Sequence, residues 1–179
     1  CHNINFVSPT HVVHAIVEAL PFAIERGLTI PLVYNSGGYD SVETLQLLDG
    51  IFDIYMPDFK YMDSEIAKEL SGAKNYPQKA IAALKEMHQQ VGDFVIEKGI
   101  AKRGLLVRHL VMPYNIARSD LVFKELVNIS PHTYVNIMAQ YRPEYRAHSH
   151  TNLGRRITLQ EYDQAIQWAK EAGLYRFDR

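Results

Sequence analysis

Hydrophobic positions along the chain follow two alternating rhythms. Short runs rich in Val, Ile, Phe and Tyr end at Gly, Pro or other turn residues, and each is followed by a stretch whose apolar residues recur at every third or fourth position. Residues 3–8, 30–35, 51–59, 105–113 and 134–141 read as strands. Between them, Ser8-Pro9-Thr10 opens a helix that carries Val13, Ile16, Val17 and Leu20 and closes at Gly27. Ser41 precedes Val42, Leu45 and Leu48, with Glu43 in the first turn, where the helix dipole favours an anion. Asp63 or Ser64 starts a helix over 65–70, and Pro77 a longer one carrying Ile81, Leu84 and Met87. Residues 119–128 and 158–172 complete the set, the latter with Thr158 and Glu161 at capping-box spacing. Residues 93–104, turning at Lys98-Gly99, form a small hairpin ahead of the fourth strand.

Strands alternating with helices predict a parallel sheet of right-handed crossover units, in a single domain over residues 1–179. Side chains alternate across a strand, so Ile54, Met56, Asp58 and Lys60 share one face, opposite Asp53, Tyr55, Pro57 and Phe59. Arg108 shares a face with Leu110 and Met112, and Tyr134, Asn136, Met138 and Gln140 oppose Val135, Ile137 and Ala139. Asn3 and Asn5 oppose Ile4 and Phe6. An open doubly wound sheet is apolar on both faces. One polar face favours a barrel whose lumen holds a ligand, over polar residues that merely touch water at strand ends.

Composition narrows the function classes. The 179 residues hold 19 Lys and Arg against 20 Asp and Glu, a net charge of -1, which gives no overall reason to expect nucleic acid or an anionic membrane as partner. No apolar run approaches the roughly 18 residues of a membrane helix, and no signal peptide is visible, so a cytoplasmic location is expected. The single cysteine, Cys1, excludes an internal disulfide and, within these residues, a thiolate-ligated metal cluster. His11 and His14 lack a nearby third ligand and His148 and His150 lie in a loop, so metal is not expected at either pair. Charge is uneven: residues 1–101 hold seven bases and thirteen acids, the remainder twelve and seven. Within 142–156, Arg142, Arg146, Arg155 and Arg156 are accompanied only by Glu144. That loop reads as a solvated basic segment or a surface for an anionic ligand or acidic partner.

The sharpest local constellation is Tyr55-Met56-Pro57-Asp58-Phe59-Lys60. Asp58 and Lys60 lie on one face at the carboxyl end of a strand, where β/α folds bind ligands. A lysine there clamps a carboxylate or phosphate, or forms a Schiff base, and Asp58 orients it or holds a cation. A plain salt bridge is the alternative. Asn35-Ser36-Gly37-Gly38 ends the preceding strand, either as a simple turn or as backbone brought close to a ligand. Arg108 is expected to face Asp58 or an anionic ligand, and His109 to be a satisfied core histidine on the helix side.

Four stretches in order, His2 to His11, Val33-Tyr34-Asn35-Ser36-Gly37-Gly38-Tyr39, Tyr55 to Asp63, and Val107-Arg108-His109-Leu110-Val111-Met112-Pro113, together resemble a branch of the radical S-adenosylmethionine enzymes similar to pyruvate formate-lyase activating enzyme. The resemblance implies an α/β fold, a partial TIM-like (β/α) barrel with outer helices, with the first β/α unit missing. It implies S-adenosylmethionine and a 4Fe-4S cluster as cofactors. In that family reductive cleavage of S-adenosylmethionine gives a 5′-deoxyadenosyl radical, which in the activases abstracts hydrogen from a glycine of a target glycyl-radical enzyme. An electron donor is a further implied partner.

Carried over by motif, Lys60 contacts the carboxylate of S-adenosylmethionine. Asp58, the Met56 carbonyl and the Asn35-Ser36 pair hold a monovalent cation, Arg108 lies near the bound peptide, and Gln140 and Tyr141 lie near the adenosine. Asn5 is the candidate for the amino-group contact, in the stretch that stands in place of the family's Gly-Gly-Glu. Asn35 replaces an Asp and Tyr141 a His. The three cysteines spaced C-x3-C-x2-C are absent from these residues, so the resemblance places the cluster ligands upstream of residue 1 and leaves this segment inactive alone. The competing reading is a self-contained β/α-barrel lyase with Lys60 as Schiff base, and a third is a non-catalytic module binding through the basic loop.

Overall fold

A computed structural model describes residues 1–178. Its elements run β1 (Ile4–Val7), a 3-10 turn (Pro9–Val12), α1 (Val13–Glu25), β2 (Leu32–Asn35), α2 (Val42–Leu47) and β3 (Ile54–Tyr55). Then come α3 (Ser64–Ser71), α4 (Tyr76–Val91), β4 (Val95–Glu97), β5 (Ile100–Leu110), α5 (Ser119–Ile129), β6 (Tyr134–Met138), α6 (Leu159–Ala172) and β7 (Phe177–Asp178). The sheet order is β1-β2-β3-β5-β6-β7, with every neighbouring pair parallel, and β4 folds back antiparallel on β5. This is a partial β/α barrel, as the alternation of strands and helices requires.

Two strands depart from the pattern expected of them. The run over 51–59 is a strand only at Ile54–Tyr55, because Pro57 has no N–H for the ladder. Pairing resumes beyond it through an Asp58–Arg108 bridge, in which Arg108 N–H donates to the Pro57 carbonyl at 2.9 Å. β5 begins at Ile100, and its first half is one arm of the hairpin. Gly104 lets it bend from hairpin into sheet: its φ is +108°, and a Cβ there would sit 2.3 Å from the Asp93 carbonyl oxygen. β7 carries only two residues and leaves no periodic signal in the sequence.

The outer face of the sheet meets the helices. Tyr34, Tyr55, Phe59, Leu105, Val107, Val135 and Ile137 are buried against Leu45, Leu48, Leu84, Met87, Phe123 and Leu126. Each such side chain contributes about 2 kcal/mol by leaving water. α1 differs, for none of its residues is buried and Val17, Phe22 and Ile24 are exposed. Its start also differs from expectation. Ser8, with φ +53°, makes no side-chain cap, and the helix follows the 3-10 turn instead. The expected caps elsewhere form: Ser41 accepts from Thr44 N–H, Asp63 from Glu65 and Ile66, and Thr158 with Glu161 closes a capping box.

Register sorts the inner face into layers. Asn5, Val33, Ile54 and Gly104 are side by side; two residues on lie Val7, Asn35, Met56, Leu106 and Tyr134. Two further on, Asp58 bridges Arg108, which pairs with Asn136, itself beside Asp178 of β7. The lower layers form a second, separate core. Val33 and Ile54 pack with Phe94 from the hairpin, with Met56, Ala101, Leu106 and Tyr134 around them. Arg176 pins this plug, donating to the Phe94 carbonyl at 2.5 Å with its guanidinium over the Tyr134 ring. The lumen therefore has an apolar floor at the amino end of the strands and opens at the carboxyl end.

Candidate functional site

At the open end, Asp58 and Lys60 are two apart at the carboxyl end of β3, so both side chains project inward. Lys60 Nζ donates to Asp58 Oδ2 at 2.5 Å. Arg108 Nη2 approaches Asp58 Oδ1 to 2.7 Å from β5. One carboxylate thus serves two cations. The second contact is imperfect: Asp58 Oδ1 and Arg108 Nε are both closed to solvent, and among the described residues neither has a hydrogen-bond partner. Unsatisfied buried polar atoms are uncommon in folded proteins.

These three side chains line a cleft of about 390 Å³ with Leu110, Met138, Gln140, Tyr141 and Arg142. The Tyr141 hydroxyl is spent on the Leu153 carbonyl at 2.9 Å, and burial pushes its pKa up. Among the described residues the Gln140 amide reaches only the Met138 sulfur, at 3.6 Å. The structure thus brings together Asp58, Lys60, Arg108, Gln140 and Tyr141. Asn5 stands apart. Register puts it beside Val33 in the floor layer, four residues below the level of Asp58, or about 13 Å along the strands.

The turn after β2 braces the cleft from behind. Gly38, with φ +75°, packs so closely that a Cβ would lie 2.1 Å from the Asp58 carbonyl oxygen. Its glycine is required by protein backbone, not by approach to a ligand. The Ser36 hydroxyl donates to Asp40 Oδ2 at 2.6 Å, and its carbonyl accepts Asp58 N–H at 2.9 Å. Asp40 is buried and also accepts from the hydroxyls of Thr10 at 2.8 Å and Tyr34 at 3.0 Å. Tyr76, from α4, completes the brace. Its hydroxyl accepts Lys60 N–H at 3.0 Å and lies 2.9 Å from the Gly37 carbonyl it donates to. Burial drives the Tyr76 pKa up, so the phenol stays a donor. Neither Asp40 nor Tyr76 stands out in sequence: Asp40 sits in a polar turn beside Ser41, Tyr76 lies between Asn75 and Pro77, and Thr10 and Gly37, to which they bond, are 30 and 39 residues away.

As placed, the side chains of Ser36 and Asp58 are occupied by protein partners, which a cation held with Asn35 and Met56 would have to displace. Both Asp58 oxygens face positive side chains, and the Ser36 hydroxyl is committed to Asp40. Asn35 is buried, with its carbonyl accepting Ser8 N–H at 2.7 Å. Among the described residues no group of three or more His, Cys, Asp and Glu could hold a metal, and Cys1 is exposed. Among them, too, no helix is long and apolar enough to cross a membrane.

Next to Arg108 in sequence, His109 points outward and is fully satisfied. Its Nδ1 lies 2.7 Å from the Phe59 carbonyl and its Nε2 2.8 Å from Ser119 Oγ. Burial lowers its pKa to about 4, so Nδ1–H donates to the carbonyl and neutral Nε2 accepts from the serine. It is the core histidine the strand alternation predicts. The basic loop is less free than its composition suggests. Arg155 forms a bidentate pair with Glu161, both contacts 2.8 Å, and its guanidinium lies 4.1 Å from the centre of the Tyr114 ring. Arg142 pairs with Glu144 at 2.9 Å at the rim of the cleft.

No family model matches the chain. It is 33% identical over 175 residues to the uncharacterized protein MJ0674 of Methanocaldococcus jannaschii, a match covering 96% of this chain and 47% of that protein. The chain thus spans about half the length of that relative. Its fold is similar to the crystal structure of a domain of pyruvate-formate lyase-activating enzyme from Bacteroides vulgatus, with a TM-score of 0.68 at 12% identity, over 98% of this chain and 96% of that one. At that identity the likeness establishes a shared fold, the one in which the Asp58–Lys60–Arg108 cleft is set.

Proposed function

We propose that this barrel binds S-adenosylmethionine at its open end and is the substrate-orienting part of a longer radical S-adenosylmethionine enzyme. The observation that carries this reading is the meeting of Asp58, Lys60 and Arg108 in one cleft at the carboxyl end of the strands. The fold shared with a domain of an activating enzyme supports it.

Lys60 fits the carboxylate of that cofactor. Its side chain is 41% exposed, and its three N–H donors let it reach a second anion while it keeps Asp58. Gln140 and Tyr141 line the same cleft, where the adenosine is expected. When bound, the cofactor supplies a hydrogen-abstracting radical through reductive cleavage of its sulfonium. The residues of this chain contribute binding, orientation and, through the Phe94 plug, a floor that keeps water out from below.

An iron–sulfur cluster does not fit the described residues, whose one thiol is the exposed Cys1. The proposal assigns the cluster ligands to sequence outside the 179 residues. The finer form, in which the hydrogen donor is a glycine of a target enzyme, rests on the resemblance to the activases alone. The lyase reading is less well supported. A Schiff-base lysine needs a free amine in a dry pocket, whereas Lys60 is ion-paired and partly exposed.

Calorimetry of the 179-residue chain with S-adenosylmethionine tests the proposal. Saturable binding, weakened about tenfold or more in Lys60→Ala, is expected. No binding at millimolar cofactor, or equal binding by the variant, overturns it. For the longer protein, anaerobic reconstitution with iron and sulfide followed by an assay for 5′-deoxyadenosine tests the chemistry.

A further inference from the structure

The cleft holds more positive charge than the proposed cofactor needs. Its charged lining is Lys60, Arg108 and Arg142 against Asp58 alone. The Gln140 amide, whose nearest partner is a thioether, adds a further donor. The lining is thus rich in donors and poor in acceptors. Glu144 pairs with Arg142, but both side chains of that pair are about two-thirds exposed at the rim (68% and 66%), where water screens it. Inside, Asp58 Oδ2 is taken by Lys60, and Arg108 makes a close contact without a hydrogen bond.

S-adenosylmethionine does not correct this imbalance. At neutral pH it carries a sulfonium, an ammonium and one carboxylate, for a net charge of +1. Placing its carboxylate on Lys60 leaves Arg108 with Asp58, leaves Arg142 at the mouth, and adds one more positive charge to the site. A neutral donor such as a backbone glycine would enter a cleft already in positive excess, with nothing to gain from it.

We infer that the second substrate, the hydrogen donor, is a small molecule bearing a carboxylate or phosphoryl group that is held by Arg108 and Arg142. Arg108 is suited to this task. Its Nε is closed to solvent without an acceptor, so its present pairing is a poor one to keep, and 29% of the side chain is open to the cleft. A planar guanidinium takes two oxygens of one anion at once, which a lysine does not. The cleft's volume of about 390 Å³ and its closed apolar floor suit a small ligand better than a chain passing through. The inference rests on the cofactor reading for the identity of the second substrate, but the anion site itself is a property of these side chains.

The test is calorimetry of the 179-residue chain with inorganic phosphate, succinate, a neutral glycine peptide and the same peptide carrying a glutamate, each with and without S-adenosylmethionine. Saturable binding of phosphate or succinate is expected. The better of the two identifies the group, and binding should tighten when the cofactor is present. Arg108→Leu should weaken that binding about tenfold or more, the loss expected for a charge-assisted pair. Arg142→Ala, at an exposed position where folding is not at stake, should weaken it less but measurably. Absence of binding by both small anions overturns the inference. So does equal binding by both variants, or a clear preference for either peptide. Anion binding without cofactor binding would instead preserve the anion site and remove the cofactor reading, so the two failures are distinct.

Discussion

At the floor of the lumen, Val33 and Ile54 close on Phe94 with Met56, Leu106 and Tyr134 around them. Further along the same strands, Asp58, Lys60 and Arg108 face one another across a cleft. The floor is apolar, sealed by a hairpin and pinned by Arg176. The mouth is charged and partly open, and it contains two buried polar atoms without hydrogen bonds. Dense packing makes the floor stable, whereas the mouth carries polar atoms whose partners are incomplete. The division teaches where stability and ligand binding separate: substitutions below should unfold the protein, and substitutions above should change what it binds.

The largest effect should come from the plug. Phe94→Ala removes the one aromatic ring that the hairpin inserts among the floor residues, and should cost about 3–5 kcal/mol, read as a drop in the urea midpoint. A loss below 1 kcal/mol would mean that the hairpin is an appendage and that the floor closes without it.

A second effect, nearly as large, sits on the outer side of the mouth. His109 is neutral and buried, with a folded pKa near 4 against about 6.5 unfolded. The unfolded chain therefore takes up this proton first. The histidine's contribution is full above pH 6.5, declines as pH falls below that, and is gone once pH has passed through about 4. The lost contribution amounts to at most about 3 kcal/mol. His109→Gln should flatten the stability profile between pH 6.5 and 4, and an unchanged slope would show that other groups set it. Arg108, one residue earlier, faces the cleft instead, and alternation along β5 alone decides which of the two is structural.

A smaller effect is expected in the first turn of α6. Glu161 accepts from Arg155, from Thr158 N–H at 2.8 Å and from Tyr114 N–H at 2.7 Å, and the Arg155 guanidinium leads in holding its pKa down, to about 2. Glu161→Gln should cost about 1 kcal/mol at pH 7, the usual size of a cap. The depressed pKa makes this contribution full above about 4.5 and lost as pH falls through about 2, so wild type and variant should converge in acid. Denaturation curves at pH 7, pH 3 and pH 2 check both points, the gap narrowing at pH 3 and further at pH 2.

Much of this division was legible in sequence, and the reason it was legible also explains what was not. Alternation at two-residue spacing placed Asp58 with Lys60 and set Arg108 inward and His109 outward, because it depends only on neighbours along a strand. The Thr158–Glu161 cap followed from local spacing in the same way. Phe94 looked like part of a plain hairpin, since its partners Val33 and Ile54 lie about 40 to 60 residues away and are joined to it only by folding. The bond from Thr10 to Asp40 across 30 residues and that from Tyr76 to Gly37 across 39 have the same character, as has Glu161's bond to Tyr114 across 47. The composition of the basic loop carries no sign of the partner of Arg155, which is an acid outside it.

The smallest expected change in stability is also the one that most sharpens the contrast between floor and mouth. Arg108→Leu deletes a partly buried charge that lacks a hydrogen bond at Nε, and it leaves Asp58 paired with Lys60 at 2.5 Å, so no carboxylate is stranded. Replacing such a group by an apolar one of similar size is often neutral or mildly stabilising, and the unfolding free energy should stay within about 1 kcal/mol of wild type. The same variant should lose about tenfold or more in anion affinity. A stability loss near that of Phe94→Ala would show that the mouth is held together by the Asp58–Arg108 pair. The charge there would then be part of the scaffold, and the separation between a stable floor and a binding mouth would not hold.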